Sequence, residues 1–106
     1  MSNRQTLILS RSEVQNLLSM EECIRVQEEA FRIADSDRVT SPTRVWLMMP
    51  QYRAFLILGG SYVGGDEIIA VKLVSAAHNN PVEHGLPDII GLIVLYEAKT
   101  CFPLAI

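Results

Sequence analysis

The sequence predicts an α+β fold in which two N-terminal helices pack on a mostly antiparallel sheet of about five to six strands. Before Pro42 the apolar residues recur every three or four positions, and after it they alternate at every second position. The connections between the alternating segments are mostly too short for the crossover that parallel strands require. Neighbouring strands should therefore run antiparallel.

Two helix starts are marked in the N-terminal third of the chain. Ser10 and Glu13 have the spacing of a capping box, in which each side chain satisfies a free backbone N–H of the other residue, and Ser19 and Glu22 repeat it. These signals predict a short helix over about 11–18 and a longer helix from the second pair onward. The longer helix carries an apolar stripe at helical spacing, which is typical of a face turned towards a core.

The rest of the chain is rich in predicted strands. Pro42 ends any helical continuation, and a further apolar segment precedes the first helix. The predicted strands are 6–10, 44–49, 54–58, 68–76, 89–97 and 102–106. The glycine-rich stretch 58–67 matches no phosphate-binding motif and is interpreted as a flexible hairpin connection. Segment 77–88 is long and polar enough to predict a binding loop.

Length and charge limit the classes of function. The 106 residues predict one domain over 1–106, and the net charge of −3 is too mild to indicate a nucleic-acid or membrane partner. No apolar stretch approaches the roughly 20 residues that span a bilayer. Cys23 and Cys101 form no CxxC pair, so two reduced thiols in a cytoplasmic protein are expected.

One cluster could in principle ligate a metal. His78, Glu83, His84 and Asp88 lie together in the predicted loop. Metal sites usually present paired ligands at tight helix or hairpin spacing, and this cluster lacks such spacing. A solvated loop is the better interpretation, and no metal site is predicted.

Arg44 and Lys72 are the two cations that lie within predicted strands. If the sheet faces that carry them meet, a guanidinium and an ammonium converge beside Trp46, and such a pair fits a small carboxylate. A partly buried lysine can also act as an acid or base near neutrality. The alternative is a lysine that reaches solvent from a half-exposed strand, and an arginine at a strand end. The pattern alone favours that alternative.

Several segments of the sequence, taken in their order along the chain, resemble those of a known family. They are "LILSRSEVQNLLSMEECIRVQEEAFR", "SPTRV", "VKLVS", "NNP", "GLP" and "GLIVLYEAKTCFPLAI", which together extend from about Leu7 to Ile106. In this order and spacing the chain resembles the N-terminal part of the ornithine cyclodeaminase/mu-crystallin family. The resemblance implies a substrate-binding and dimerisation domain of enzymes that transfer hydride between a nicotinamide and a carbon bearing an amine or imine.

The resemblance also assigns roles to individual residues. It implies that Arg44 holds the substrate carboxylate and that Lys72 is the catalytic lysine, which binds substrate and can assist proton transfer. With the resemblance, a role in a substrate site is favoured for both residues over the solvent-exposed alternative that the pattern alone favours. The sequence departs from the family after "GLP", where Asp88 replaces a common threonine, and at 59–62, where "GGSY" replaces a Met-Pro pair. It also departs at Ile57, where some ornithine-cyclising members have an acidic residue, and this favours a smaller or less cationic amino or imino acid over ornithine as the substrate.

Two hypotheses about the whole chain remain open. In the first, the chain is a truncated N-terminal part of an NAD(P)-dependent amino-acid or imino-acid oxidoreductase or cyclodeaminase of alanine dehydrogenase, ketimine reductase or ornithine cyclodeaminase type. It would be inactive alone, and no cofactor would bind to it because it has no dinucleotide motif. In the second, it is a stand-alone homo-oligomeric module that binds small carboxylates or only self-associates. Both hypotheses predict a homodimer.

Overall fold

The computed structural model of the protein describes residues 4–106. The helices are α1 (Arg11–Leu17), α2 (Met20–Ile33) and α3 (Asn80–Glu83), with a 3-10 turn at Pro50–Tyr52. The strands are β1 (Val39–Thr40), β2 (Val45–Met49), β3 (Ala54–Val63), β4 (Ile68–Ala77), β5 (Ile89–Glu97) and β6 (Phe102–Ala105). Two main helices and a six-stranded sheet confirm the α+β class.

The sheet has the strand order β1-β3-β4-β5-β6, and β2 pairs with the same edge of β3 as β1. All the pairings between these strands are antiparallel, as predicted. The predicted strand 6–10 is reduced to one parallel bridge, between Leu7 and Ala105. Backbone hydrogen bonds from Leu7 N to Leu104 O and from Leu9 N to Ile106 O hold this segment at the sheet edge.

Both predicted capping boxes are formed. The Ser10 side chain accepts a hydrogen bond from Glu13 N, and the Ser19 side chain accepts one from Glu22 N, while each glutamate accepts from the backbone N–H of its serine. These contacts satisfy backbone donors that would otherwise be free at the two helix starts. They explain why local sequence alone sets where α1 and α2 begin.

The glycine-rich stretch differs from its prediction as a hairpin connection. Strand β3 continues through Gly59 and Gly60 to Val63, and the turn is confined to 64–67. The interpretation of 58–63 as flexible connection was therefore wrong. Unbroken pairing with β4 overrides the weak strand preference of glycine. Of the two glycines in this turn, only Gly65, with φ +93°, occupies a backbone conformation that favours glycine.

Nearly all apolar side chains of the sheet and helices are at least partly exposed. Ala76 is the one buried apolar residue among residues 4–106, and neither α1 nor α2 contains a buried residue. The radius of gyration is 16.2 Å, whereas a compact domain of this length has one of about 13 Å. The chain therefore presents a broad sheet with apolar residues open on both faces. None of the helices in the described range is long and apolar enough to cross a membrane.

Candidate functional site

A gap in strand pairing opens a cleft at one edge of β3. Strand β2 pairs with Ala54–Leu58 and β1 pairs with Tyr62 and Val63, so Gly59–Ser61 lies between the two pairings. The chain passes this gap as the loop 41–44, which joins β1 to β2. The cleft has a volume of about 370 Å³. It is lined by Ser41, Pro42, Arg44, Ile57, Gly59, Gly60, Ser61, Ala70, Lys72 and Val74.

Arg44 and Lys72 both line this cleft. Lys72 lies directly opposite Gly59 in the pairing of β3 with β4. Arg44 approaches from the loop side, and a Cβ placed on Gly59 would be only 3.2 Å from Arg44 Cγ. Opposed residues in an antiparallel pair have Cα atoms about 4.5–5.5 Å apart. Gly59, having no side chain, therefore leaves room for the arginine stem beside the lysine.

Both charged side chains in the lining of the cleft are cationic. Neither Arg44 nor Lys72 makes a salt bridge or a side-chain hydrogen bond within the part of the chain that the structure describes. No acidic residue belongs to the described lining, and the only other polar side chains in it are Ser41 and Ser61. Two cations without partners in one cleft attract an anion, and a guanidinium can bind a carboxylate through two parallel hydrogen bonds.

An apolar row lies next to the charged pair on the same face. In register, Trp46 pairs with Ile57, and Ile57 pairs with Val74. Alternate residues of a strand point to the same face, so Ile57 and Val74 lie on the face of Gly59 and Lys72. The Trp46 ring contacts the Phe55 ring with centroids 5.3 Å apart, which forms an aromatic wall at the outer end of the row.

The loop after β4 contains the four side chains that could in principle ligate a metal, and they lie outside the lining of the cleft. His78 Nδ1 lies 3.3 Å from Asp88 Oδ1, and Ala77 N donates to Asp88 O at 2.9 Å, so these contacts close the base of the loop. His84 lies next to Glu83 instead, with 3.8 Å between Nε2 and Oε2. The structure thus divides the predicted cluster into two pairs. Across residues 4–106 no group of three or more metal-ligand side chains occurs.

A second cavity of about 330 Å³ adjoins this loop and shares no lining residue with the first. Its lining is mostly polar side chains of the 3-10 turn, of α3 and of the residues that flank α3. The predicted binding loop therefore does not line the cleft that holds Arg44 and Lys72.

Sequence reasoning interpreted Gly59 as part of a connection and gave Val74 no function in a site. It noted Ile57 only through the resemblance, as a departure from the acidic residue of some ornithine-cyclising members. The signal that places them is the strand register, because pairing of Gly59 with Lys72 brings all three beside the charged side chains.

Comparison with known proteins agrees with this fold. Residues 4–106 match the Ornithine cyclodeaminase/mu-crystallin family. The chain belongs to this family. It is 35% identical over 104 residues to the alanine dehydrogenase of Archaeoglobus fulgidus, an alignment that covers 96% of the chain and 30% of that enzyme.

Two solved structures of relatives are also similar. An archaeal alanine dehydrogenase dimer with bound NAD is 33% identical, with a TM-score of 0.85, and the match covers 94% of this chain and 30% of that one. The Δ1-pyrroline-2-carboxylate reductase of Thermococcus litoralis, in complex with NADH and L-proline, is 35% identical, with a TM-score of 0.88 and coverage of 94% and 31%. This member of the family thus spans about 30% of the length of these relatives.

Proposed function

We propose that this chain is the substrate-binding and dimerisation domain of an NAD(P)-dependent oxidoreductase or cyclodeaminase that acts on amino or imino acids. The observation that carries the proposal is the convergence of Arg44 and Lys72 on one acid-free cleft of a family member. The relatives support the class of reaction, since an alanine dehydrogenase and a pyrroline-2-carboxylate reductase both act on the carbon next to a carboxylate.

Each cation has a distinct role in this proposal. Arg44 binds the substrate carboxylate through two parallel hydrogen bonds from its planar guanidinium. This fixes the orientation of the carbon next to that carboxylate. Lys72 contributes a compact charge at the same end of the ligand and holds or donates a proton at its Nζ atom. The stem of Arg44 lies over Gly59, so Arg44 approaches the ligand from the loop before β2 and Lys72 approaches it from β4, on the two sides of β3.

The nicotinamide chemistry is proposed for the whole protein rather than for these residues. Within residues 4–106 no strand leads through a glycine-rich turn into a long helix, the unit that holds a dinucleotide in proteins. The described residues therefore do not fit a dinucleotide, and no step through one is assigned to them. Two of the similar structures contain NAD or NADH, which supports the same class of cofactor for the intact protein.

Dimerisation would use the face of the sheet opposite the cleft. Leu56, Leu73 and Leu92 lie on that face, because their positions alternate with those of Ile57 and Lys72. Leu92 is half exposed. A broad apolar face of this kind is typical of a surface covered by a partner. The archaeal alanine dehydrogenase is described as a dimer, which supports a second copy as the partner.

The exposed apolar sheet also supports a second candidate, a stand-alone homo-oligomeric module without catalysis. In that case the sheet would be covered by self-association, and binding of small carboxylates would be the only ligand interaction. The reading frame of the gene after the codon for Ile106 distinguishes the two candidates. A reading frame that continues after Ile106 into a dinucleotide-binding domain supports the oxidoreductase, and a stop codon there supports the module.

The proposal is tested by titrating the fluorescence of Trp46, the only tryptophan, with alanine, pyruvate, proline and a cyclic imino acid. We expect a saturable change in the wild type, weakened at least about tenfold by Arg44→Ala or Lys72→Ala because each removes a charge-assisted contact. Arg25→Ala and Lys99→Ala, exposed cations outside the cleft, serve as controls. Binding that persists unchanged in both cleft variants would contradict the assignment.

A further inference from the structure

Strand β1 is joined to the turn 64–67 by the residue that precedes it, Arg38. Gly64 N donates to Arg38 O at 2.7 Å, and Arg38 Nε donates to Gly64 O at 2.8 Å. The guanidinium also lies near Asp66, with 3.8 Å between Nη2 and Oδ1. The strand itself pairs with β3 at only two positions. The side chain of Arg38 therefore adds a second attachment to a strand that is too short to form many hydrogen bonds of its own.

The turn 64–67 has a shape that admits this guanidinium. A Cβ placed on Gly65 would lie 3.1 Å from Arg38 Nη2, so the missing side chain leaves the space that the guanidinium occupies. Gly65 N donates to Glu67 Oε1 at 3.3 Å, and the same carboxylate accepts from the Tyr62 hydroxyl at 3.2 Å. Arg38 is thus attached to a turn that has its own internal hydrogen bonds.

The chain runs from β1 directly into the loop 41–44, and this loop supplies Arg44 to the lining of the cleft. No strand pairing is formed by the loop within the described part of the chain, so its two ends are held by β1 and β2. Arg38 lies six residues before Arg44 and is not itself part of the lining. A side chain that fixes β1 therefore also fixes the path by which the loop brings Arg44 to the cleft.

We propose that Arg38 is a positioning residue, which holds β1 against the hairpin turn and so keeps the loop 41–44 in the conformation that presents Arg44 to the substrate carboxylate. This inference rests on the proposed function, because it takes Arg44 to bind that carboxylate. It goes further by assigning the geometry of the site to a residue outside the cleft. Without the Arg38 side chain the loop samples more conformations, and binding then has to offset the conformational entropy of ordering it. The affinity falls although every contact to the ligand is retained.

The order of the loop 41–44 is measured first, without any ligand, from backbone amide relaxation in NMR. Arg32→Ala, which removes an exposed cation from the last turn of α2, is the matched control for Arg38→Ala. We expect the order parameters of the loop amides to fall below about 0.6 in Arg38→Ala and to stay near about 0.85 in the control and the wild type. Unchanged order parameters in Arg38→Ala would overturn the proposal.

The effect on binding is then measured in a double-mutant cycle with Arg44→Ala, by Trp46 fluorescence with alanine, pyruvate and proline. We expect Arg38→Ala to weaken binding by about threefold to tenfold in the wild type and to have no further effect on Arg44→Ala, because it acts through that side chain. Arg32→Ala should leave the affinity unchanged in both backgrounds.

Two results of the cycle would contradict different conclusions. Equal weakening by Arg38→Ala in both backgrounds would overturn the positioning role, because the effect would then not pass through Arg44. Absence of binding in the wild type would instead overturn the proposed function, and the order parameters would still decide whether Arg38 holds the loop.

Discussion

Gly59 lies directly opposite Lys72 in the ladder between β3 and β4, and its missing side chain leaves room for the stem of Arg44. A glycine in the middle of a strand usually weakens it, because it contributes no side chain to the packing. Here the side chain is missing at the position of β3 over which the stem of Arg44 lies. The relationship ties a local weakness of the strand to the geometry of the cleft.

Replacement of Gly59 by alanine should therefore disturb ligand binding more than folding. The new Cβ would lie 3.2 Å from Arg44 Cγ, closer than an ordinary contact, so the arginine stem must move. We expect carboxylate affinity to fall by about threefold to tenfold in a Trp46 titration. Gly91→Ala is the matched control, since this strand glycine lies outside the cleft lining and its Cβ would meet Leu73 O at 3.8 Å. Equal effects of the two variants on affinity would argue against this role.

Lys72→Met should abolish carboxylate binding while raising the free energy of unfolding. Lys72 is a charge without an acidic partner in the described residues, and it is paired across the sheet with Gly59 and Ile93. An apolar side chain of similar length would pack on this face, and we expect a gain on the order of 1 kcal/mol in urea unfolding. Lys99→Met, in a turn, should leave both quantities unchanged. A loss of stability in Lys72→Met would show that the ammonium has a structural partner.

Substitutions at Leu92 and Ile93 test which face of β5 forms the dimer interface. The two residues are neighbours that point to opposite faces, and Ile93 pairs with Lys72 on the cleft side. If the opposite face forms the dimer, Leu92→Lys should convert the dimer to monomer in sedimentation equilibrium, because it places a charge in an apolar interface. Ile93→Lys should leave the mass unchanged. The reverse result would assign the dimer interface to the cleft face.

The carboxylate of Glu97 at the end of β5, which contacts Arg4 and Thr100, should make stability depend on acid pH. The hydrogen bond from Thr100, with the one from Arg4, lowers the pKa of Glu97 below its usual value near 4.5. A lowered pKa in the folded state means that the stabilisation is fully present above the usual value and is lost as the pH falls through the lowered one.

This dependence is measured as the urea midpoint between about pH 3 and 7. The wild-type midpoint should fall towards the acid end more steeply than that of Glu97→Gln, which cannot titrate. Parallel curves for the two proteins would show that Glu97 does not contribute to the acid dependence.

The sequence predicted the elements whose causes are local. The capping pairs at Ser10 and Ser19 fix where α1 and α2 begin, since each is formed within one turn of chain. The alternation of apolar residues likewise predicted the strands that became β2, β4 and β5. The prediction failed at 58–63, where pairing with β4 along its whole length holds glycines in a strand that their own preference does not favour.

By itself, then, the sequence determined the class of fold, the family and the two cations on which a carboxylate site could be built. Only the tertiary structure decided which uncharged residues surround them. The cleft depends on the register that sets Gly59 against Lys72 and Ile57 against Val74, and on the gap between β1 and β2. Register is fixed by hydrogen bonds between strands and by the packing of their faces, and these are not encoded in the neighbourhood of any one residue.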